Sequence, residues 1–144
     1  MIRQLRGEIV RHEGAGIVID ISGWGVLVWV ATPDAFAIGE NVTLRTHLTV
    51  KQDGFDVYGF LDEADLKFFE LTLSVSGVGP KTALSLLRRA SRENLESAIA
   101  KRDVSYLTRV VGLGKKSAEK IIVEIAEKIG GGTHTTGEDA EVFD

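Results

Sequence analysis

Cysteine is missing from all 144 residues, which excludes disulfide bonds, thiolate metal sites and a thiol nucleophile. This composition fits a reducing compartment, and we expect a cytoplasmic protein. No run of about 18 apolar residues occurs, so we expect neither a membrane-spanning helix nor a membrane partner. The Walker A spacing is also missing, and the three histidines are too scattered to suggest metal ligation, so we expect no cofactor, no metal and no nucleotide hydrolysis: His12, His47 and His134.

Net positive charge is missing as well, since the formal net charge is −4. The charge is unevenly distributed along the chain. Residues 1–62 hold 5 Lys and Arg against 8 Asp and Glu, residues 63–130 hold 12 against 9, and residues 131–144 hold 0 against 4. Only the middle segment is therefore basic. We expect that segment to contact any polyanionic partner, and the acidic first segment to repel it where contact is unwanted.

The basic segment contains a sequence repeat with a period of 35 residues. LSVSGVGPKTALSLL (73–87) aligns with TRVVGLGKKSAEKII (108–122), so that Gly77 matches Gly112, Gly79 matches Gly114 and Lys81 matches Lys116. Each copy is an apolar segment, then Gly-x-Gly, then Lys and an amphipathic run. This pattern predicts a helix, a tight hairpin and a second helix in each copy. We call the hairpin of the first copy the first hairpin (residues 76–80) and that of the second copy the second hairpin (residues 111–114).

Each hairpin has the features of a phosphate-binding site. Glycines permit positive φ and place no Cβ between the backbone and an approaching group. The amides that follow begin a helix, lack partners within it and lie at the positive end of its dipole. Lys81, Lys115 and Lys116 add charge beside them. One Gly-x-Gly could simply end a helix, but two copies in register favour two phosphates of a nucleic-acid backbone.

Before the repeat, short β-like runs follow one another at 2–10, 15–21, 25–31, 41–50 and 55–60. Five or six such strands, rich in Val and Ile and separated by Gly, predict a small barrel over residues 1–62. We prefer an OB-type barrel, with an SH3-like barrel as the alternative. Tyr58 and Phe60 could stack on bases, but we expect one to pack inward and the other to pack against the next helix.

Helical periodicity begins after Asp62 and continues to about residue 129. Ser91 and Asp103 are expected to cap the helices that follow them, and the last helix is expected over about 115–129. Residues 63–130 thus form an all-α domain with two hairpins related by a pseudo-twofold axis. Residues 131–144, with their glycines, threonines and four acids, are expected to be a flexible acidic linker or tail.

Taken together, MIRQLRGEI at the start, VYGF at 57–60, SGVGPKTALSLL and VVGLGKKSAEKIIVE resemble the RuvA family over residues 1–130. The resemblance implies an OB-fold barrel followed by a tandem helix-hairpin-helix domain. It implies a non-catalytic subunit that binds Holliday junctions without reading sequence and holds them open and planar for branch migration in DNA recombination, repair and the SOS response to damage. The DNA contacts it implies are the backbone near both hairpins and the neighbouring lysines: Gly77, Val78, Gly79, Lys81, Gly112, Leu113, Gly114, Lys115 and Lys116.

The resemblance also implies partners and an assembly. Family members form homotetramers, or octamers of two tetramers face to face, around four-way junction DNA in the bacterial cytoplasm. The hexameric ATPase RuvB docks on a small carboxy-terminal domain that has no counterpart in these 144 residues, and the RuvC resolvase is a further partner. Fourfold repetition would let individually weak grips act together, because linked contacts raise effective concentration.

An acidic pin, a pair of carboxylates on a barrel loop that separates strands at the crossover, is also implied. The matching loop is the acidic hairpin, residues 51–54 (KQDG), in which Asp53 supplies one acid and Gln52 occupies the place of the other. Asp56 could compensate, or the loop could be shifted by one residue. Without the resemblance, Asp53 beside Gly54 would be read as a turn residue.

Two other classes of function remain open at this stage. A nuclease or glycosylase would use the hairpins only as an anchor and would need catalytic carboxylates, for which Glu119 and Glu124 are the available candidates. On their helix, these two look like solvent-facing partners of lysines. A protein–protein scaffold would use the hairpins only for packing, and salt-dependent DNA binding would argue against it.

Overall fold

The computed structural model describes residues 2–142, with side chains described as far as Ile129. Five strands come first and five helices follow. The strands are β1 (Gln4–Glu13), β2 (Gly16–Ile21), β3 (Trp24–Trp29), β4 (Asn41–Lys51) and β5 (Gly54–Phe60), with one 3₁₀ turn, Pro33–Ala35, between β3 and β4. The helices are α1 (Glu63–Leu73), α2 (Pro80–Arg89), α3 (Arg92–Ala100), α4 (Val104–Arg109) and α5 (Lys115–Val142).

The strands close into a barrel in the order β1-β2-β3-β5-β4. Every pairing is antiparallel except that of β3 with β5, which is parallel. Strand β1 closes the barrel because its first half pairs with β4 and its second half with β2. This arrangement confirms the predicted OB-type barrel.

Strand β1 must bend to serve two neighbours, and two features of its sequence allow this. The register with β2 shifts between Ile9 and Arg11, which is a β-bulge and increases local twist. Gly7 lies where a Cβ would overlap the carbonyl oxygen of Asp20, so only glycine fits there without movement of the backbone. The bend therefore depends on a bulge and on a missing side chain.

The barrel core is aliphatic and is formed by alternate residues of the strands, including Ile9, Ile17, Ile19, Val28, Leu44 and Val57. In β4 every second residue faces the core at Val42, Leu44 and Thr46, all of which are buried. This alternation fails at Val50, which is 68% exposed. Val50 pairs with Phe55 at the base of the acidic hairpin, and Phe55 is exposed as well. The last residues of β4 thus extend beyond the packed body of the barrel.

Helix α1 is attached to the barrel through the fully buried ring of Phe69. That ring lies 5.3 Å from the ring of Tyr58 and 4.9 Å from that of Phe60, centroid to centroid. Tyr58 and Phe60 are therefore both buried under α1, and neither is available to stack on a base. The chain forms two compact units, and the boundary between them lies between Glu70 and Leu71. This boundary falls within α1 rather than at its start, because the first part of α1 packs with the barrel.

Glu70 joins the same part of α1 to β4 and to the residue that precedes β1. Its carboxylate accepts hydrogen bonds from Arg3 Nη1 at 2.7 Å and lies 2.7 Å from Nδ1 of His47. The hydrogen bond from Arg3 is the main reason that the pKa of Glu70 lies below its ordinary value of 4.5, against the opposing effect of burial. The ionised form of Glu70 is therefore the one that stabilises the barrel unit.

The helical unit begins at Leu71, and two of its helices, α3 and α4, begin at N-cap residues that the sequence predicts. Ser91 Oγ accepts from the amide of Asn94 at 3.1 Å, and Asp103 Oδ1 accepts from the amide of Tyr106 at 3.0 Å. Both predicted N-caps are confirmed. Apolar residues at helical spacing in α3 and α5 are buried: Leu95, Ala98, Ile99, Ala118, Ile121, Ile122 and Ile125.

Helix α5 is longer than the sequence predicts. The expected end near residue 129 is wrong, because the backbone stays helical to Val142 through three consecutive glycines. Glycine lowers helix propensity by about 1 kcal/mol relative to alanine, but extending an existing helix costs far less than starting one. That residues 131–144 act as a flexible linker stays a prediction, and residues 143 and 144 lie outside the described residues.

We predict that Glu70→Gln lowers the free energy of unfolding at neutral pH by about 1 kcal/mol, since two partners lose a charged acceptor at a partly exposed site. Because the folded-state pKa is lowered, this contribution is complete above about pH 4.5 and is lost as the pH falls through the folded value. Wild type and variant should thus converge in acid. Urea titrations across pH test this.

Glu13→Gln is the matched control for that experiment. Glu13 pairs with Arg11 on the exposed surface, at 3.0 Å. Such surface pairs contribute little, so this variant should stay within about 0.5 kcal/mol of wild type at every pH. An equal loss in both variants, or a difference for Glu70→Gln that does not change with pH, would contradict the assigned role of Glu70.

Candidate nucleic-acid interface

The first glycine of each hairpin reverses the chain. Gly77 has a φ of 86° and Gly112 a φ of 90°, both in the left-handed region that other residues rarely adopt. They occupy equivalent positions of the 35-residue repeat, one after α1 and the other after α4. The prediction that glycine is needed here for positive φ is confirmed at both positions.

The second glycine of each hairpin has a different role. Gly79 is the N-cap of α2 in extended conformation, with φ −96° and ψ 176°, and Gly114 does not have positive φ either. The expectation of positive φ at these two positions is therefore wrong. Around both residues, a Cβ would meet no described atom within 4 Å. What glycine provides here is an exposed strip of backbone with no side chain above it.

The helices after the hairpins begin in the same register. Ala83 N–H donates to the carbonyl of Gly79 at 3.0 Å, and Ala118 N–H donates to that of Gly114 at 2.9 Å. Both alanines are completely buried. The repeat in the sequence is thus a repeat in structure, and it presents two helix N-termini, each preceded by an open glycine.

Some backbone amides of the two hairpins already donate hydrogen bonds within the protein, and others do not. Val78 N–H donates to Val75 O at 3.0 Å, and Leu113 N–H donates to Leu107 O at 3.0 Å. The four hairpin glycines, Gly77, Gly79, Gly112 and Gly114, have amides with no acceptor among the described residues. All four glycines are exposed, whereas Val78 and Leu113 are half-buried. The glycine amides, rather than those of the middle residues, are the donors left for a ligand.

The three predicted lysines lie just after these glycines, and all are exposed: Lys81, Lys115 and Lys116. Lys115 lies 4.0 Å from Glu119, one helical turn further on. This surface pair is weak enough for a phosphate to replace it. Within the described side chains, Lys81 and Lys116 have no acidic partner. The lysines therefore add exposed positive charge at positions that closely follow the open backbone donors in the sequence.

Two further cations lie beside the hairpins, and sequence reasoning missed both. A Cβ on Gly77 would lie 3.8 Å from Nζ of Lys120 in α5, and one on Gly112 would lie 3.2 Å from Nη1 of Arg89 in α2. Each cation comes from the repeat that does not contain the glycine. The period of 35 compares equivalent positions and carries no signal for such cross-repeat contacts.

The acidic hairpin of the barrel presents one carboxylate at its tip. Asp53 is exposed and precedes Gly54, whose φ is 143°. Asp56 lies 3.1 Å from Lys51 Nζ and accepts from Trp29 Nε1 at 3.3 Å. The hydrogen bond with Asp56 is also the main cause that raises the pKa of Lys51. Since Lys51 balances its charge, Asp56 is a poor substitute for the second carboxylate of the pin, whose place Gln52 occupies.

Groups that might support catalysis have ordinary partners. His12 Nε2 lies 2.8 Å from the carbonyl of Phe36, and His47 contacts Glu70; the side chain of His134 lies outside the described residues. Among the described residues, no three His, Asp or Glu side chains gather closely enough to hold a metal ion. No helix in that part of the chain is long and apolar enough to cross a membrane.

Comparison with known proteins identifies both halves of the chain. Residues 1–59 match the family model described as the RuvA N terminal domain, and residues 69–127 match that of the SAM-like helix-hairpin-helix tandem. Proteins named Holliday junction branch migration complex subunit RuvA align with nearly the whole chain. The one from Thermus thermophilus is 42% identical over 131 residues, which cover 90% of this chain and 69% of that protein. The chain belongs to the RuvA family.

Other RuvA relatives agree. The Herpetosiphon aurantiacus protein is 40% identical over 133 residues, covering 90% of this chain and 68% of the relative, and the Lactococcus lactis protein is 38% identical over 130 residues, covering 89% and 66%. The chain thus spans about two thirds of the length of these RuvA proteins. The acidic hairpin lies in the segment that matches the RuvA N terminal domain, and both glycine hairpins lie in the helix-hairpin-helix match.

The two glycines of the second hairpin should respond differently to substitution. Gly112→Ala forces a Cβ into positive φ and against Arg89, so we predict a loss of about 1 kcal/mol in the free energy of unfolding. Gly114→Ala adds a methyl group in open space without positive φ, so stability should be unchanged or slightly higher. Urea unfolding followed by circular dichroism measures both. Equal destabilisation by the two substitutions would contradict the separate roles of these glycines.

Proposed function

We propose that this chain binds four-way DNA junctions through their phosphate backbone, without reading base sequence, as the DNA-binding subunit of a branch-migration complex. The observation that carries the proposal is the pair of equivalent hairpins, each with unused glycine amides at a helix N-terminus and exposed lysines beside them. Such sites favour phosphate. The printed name of the RuvA relatives, which refers to Holliday junction branch migration, supports the same conclusion.

Both hairpins bind the DNA backbone rather than the bases, because their donors are main-chain amides and do not extend beyond the protein surface. Main-chain amides of the four glycines reach only a group that approaches the protein surface closely, as a phosphate does. Contacts of this kind position a duplex and carry no direct sequence information. The proposed contact residues are those near both hairpins: Gly77, Val78, Gly79, Lys81, Gly112, Leu113, Gly114, Lys115 and Lys116. Val78 contributes through its position in the turn, as does Leu113, since their amides already have acceptors.

A net charge of −4 is compatible with DNA binding if several chains act together. We propose a homotetramer, or two tetramers face to face, in which each chain holds one arm of the junction. Linkage of four grips makes the later contacts effectively intramolecular and raises the overall affinity without new contacts. The acidic barrel then repels phosphates near the centre, where Asp53 is the exposed carboxylate.

The chain supplies no catalytic group in this proposal. Its role is to hold the junction in a geometry on which an ATP-driven motor can act, and that motor is RuvB. On the family resemblance, RuvB docks on a carboxy-terminal domain outside these 144 residues, and the RuvC resolvase is a further partner of the assembled junction. The candidate carboxylate Glu119 lies beside Lys115, which supports its interpretation as a surface partner rather than a catalytic acid.

The first test compares a synthetic four-way junction with a linear duplex of one arm in a gel-shift titration. We expect the wild-type chain to prefer the junction and to form discrete shifted species. Replacing Lys81, Lys115 and Lys116 with Glu should weaken junction binding by about 100-fold or more, because charge reversal is repeated in every chain. The fold, followed by circular dichroism, should be retained.

A control triple variant separates local contacts from net charge. Lys67, Lys101 and Lys128 are exposed lysines outside the hairpins, and their replacement with Glu changes the net charge equally. This variant should lose much less affinity than the hairpin variant. Equal losses would remove the hairpins from the mechanism, and failure of the wild-type chain to bind either DNA would favour a protein–protein scaffold.

Asp53→Asn should reduce discrimination rather than affinity. Loss of the exposed carboxylate weakens repulsion at the junction centre, so the ratio of junction to duplex affinity should fall by about threefold or more. Gln52→Glu should raise that ratio, because it restores a second acid. Asp34→Asn, an exposed acid on the 3₁₀ turn, is the charge-matched control. An unchanged ratio in Asp53→Asn would rule out a pin at this hairpin.

A further inference from the structure

Arg89 ends α2, which belongs to the first repeat, but its guanidinium lies beside the second hairpin. The position of a Cβ on Gly112 would be 3.2 Å from Arg89 Nη1 and 3.7 Å from its Cζ. Because Gly112 has no side chain, the guanidinium and the backbone of the turn lie side by side. The folding of the two repeats onto each other, and not the sequence of either, creates this contact.

The guanidinium of Arg89 is also available to a ligand. Arg89 is exposed, and it has no hydrogen bond or carboxylate partner among the described residues. Other arginines of the chain are held by acids, such as Arg3 by Glu70 and Arg92 by Glu96. An unpaired guanidinium next to an unused amide is a combination that suits an oxyanion, since arginine presents planar, paired donors to phosphate.

We propose that Arg89 binds a DNA phosphate at the second hairpin, together with the amide of Gly112, so that the first repeat contributes a cation to the site of the second. This inference rests on the proposed function, because it names a further contact at the same interface. The position equivalent to Arg89 in the second repeat is Glu124, and the cation beside the first hairpin is instead Lys120. The two hairpins are thus unequal, because the second offers a bidentate guanidinium where the first offers the single ammonium group of a lysine.

A simpler role for Arg89 would be to complement the dipole at the end of α2. Arg88 and Arg89 both lie in the last turn of that helix, so both would share this role. Replacing Arg89 would then lower stability and would have no specific effect on DNA. Arg88→Gln is therefore the matched control, since it removes the same charge one residue away.

The test measures junction binding by the 144-residue chain over a range of NaCl concentrations. Arg89→Gln should weaken binding about tenfold and should lower the steepness of its salt dependence, by about 0.9 for each phosphate that is no longer neutralised. Arg88→Gln should have a clearly smaller effect on both quantities. Arg89→Lys should recover part of the affinity, because it keeps the charge but not the paired donors. Thermal unfolding of Arg89→Gln should match wild type.

A double-mutant cycle locates the phosphate. Arg89→Gln combined with Lys116→Gln, at the second hairpin, should be non-additive, whereas its combination with Lys81→Gln, at the first, should be additive. Equal effects of Arg88→Gln and Arg89→Gln, or coupling only to Lys81, would overturn the proposal. If the wild-type chain fails to bind the junction, the proposed function itself fails; if it binds while Arg89→Gln is indistinguishable from Arg88→Gln, only this inference fails.

Discussion

The interface depends on one backbone conformation, the positive φ of the glycine that opens each hairpin. At Gly77 and Gly112 this conformation turns the chain so that the next helix begins beside an exposed, side-chain-free strip of backbone. Any other residue would make the turn strained and would cover the strip with a Cβ. The unused amides, the positive end of the helix dipole and the lysines lie at the same end of the helix because the chain reverses at this point.

Each hairpin combines backbone groups that are already bonded with others that are open. The middle residues, Val78 and Leu113, are half-buried and donate their amides to the preceding turn, which fixes the shape of the hairpin. The flanking glycines leave their amides unused and exposed. A bonded centre with open edges presents donors that would need no rearrangement to bind the phosphate proposed for this interface, which would reduce the entropy lost on binding.

The positions of the charged groups matter more for this protein than its net charge does. The helical unit carries the basic surface, whereas the barrel presents Asp53 at an exposed tip and neutralises Asp56 with Lys51. The same negative balance that appears unfavourable for a DNA-binding protein can therefore restrict where DNA contacts it. Because Lys51 neutralises Asp56, Asp53 is the exposed carboxylate that the acidic hairpin presents.

The sequence by itself determined the barrel, the two hairpins, the caps at Ser91 and Asp103, and the family, because strand alternation, glycine spacing and cap chemistry are local properties of the chain. It did not determine that Asp56 is paired with Lys51, or that α1 divides between the units, since both depend on packing. Only the tertiary structure placed Arg89 beside Gly112 and Lys120 beside Gly77. Residues from different repeats meet through the folding of one helix pair against another, and no periodicity along the chain records that contact.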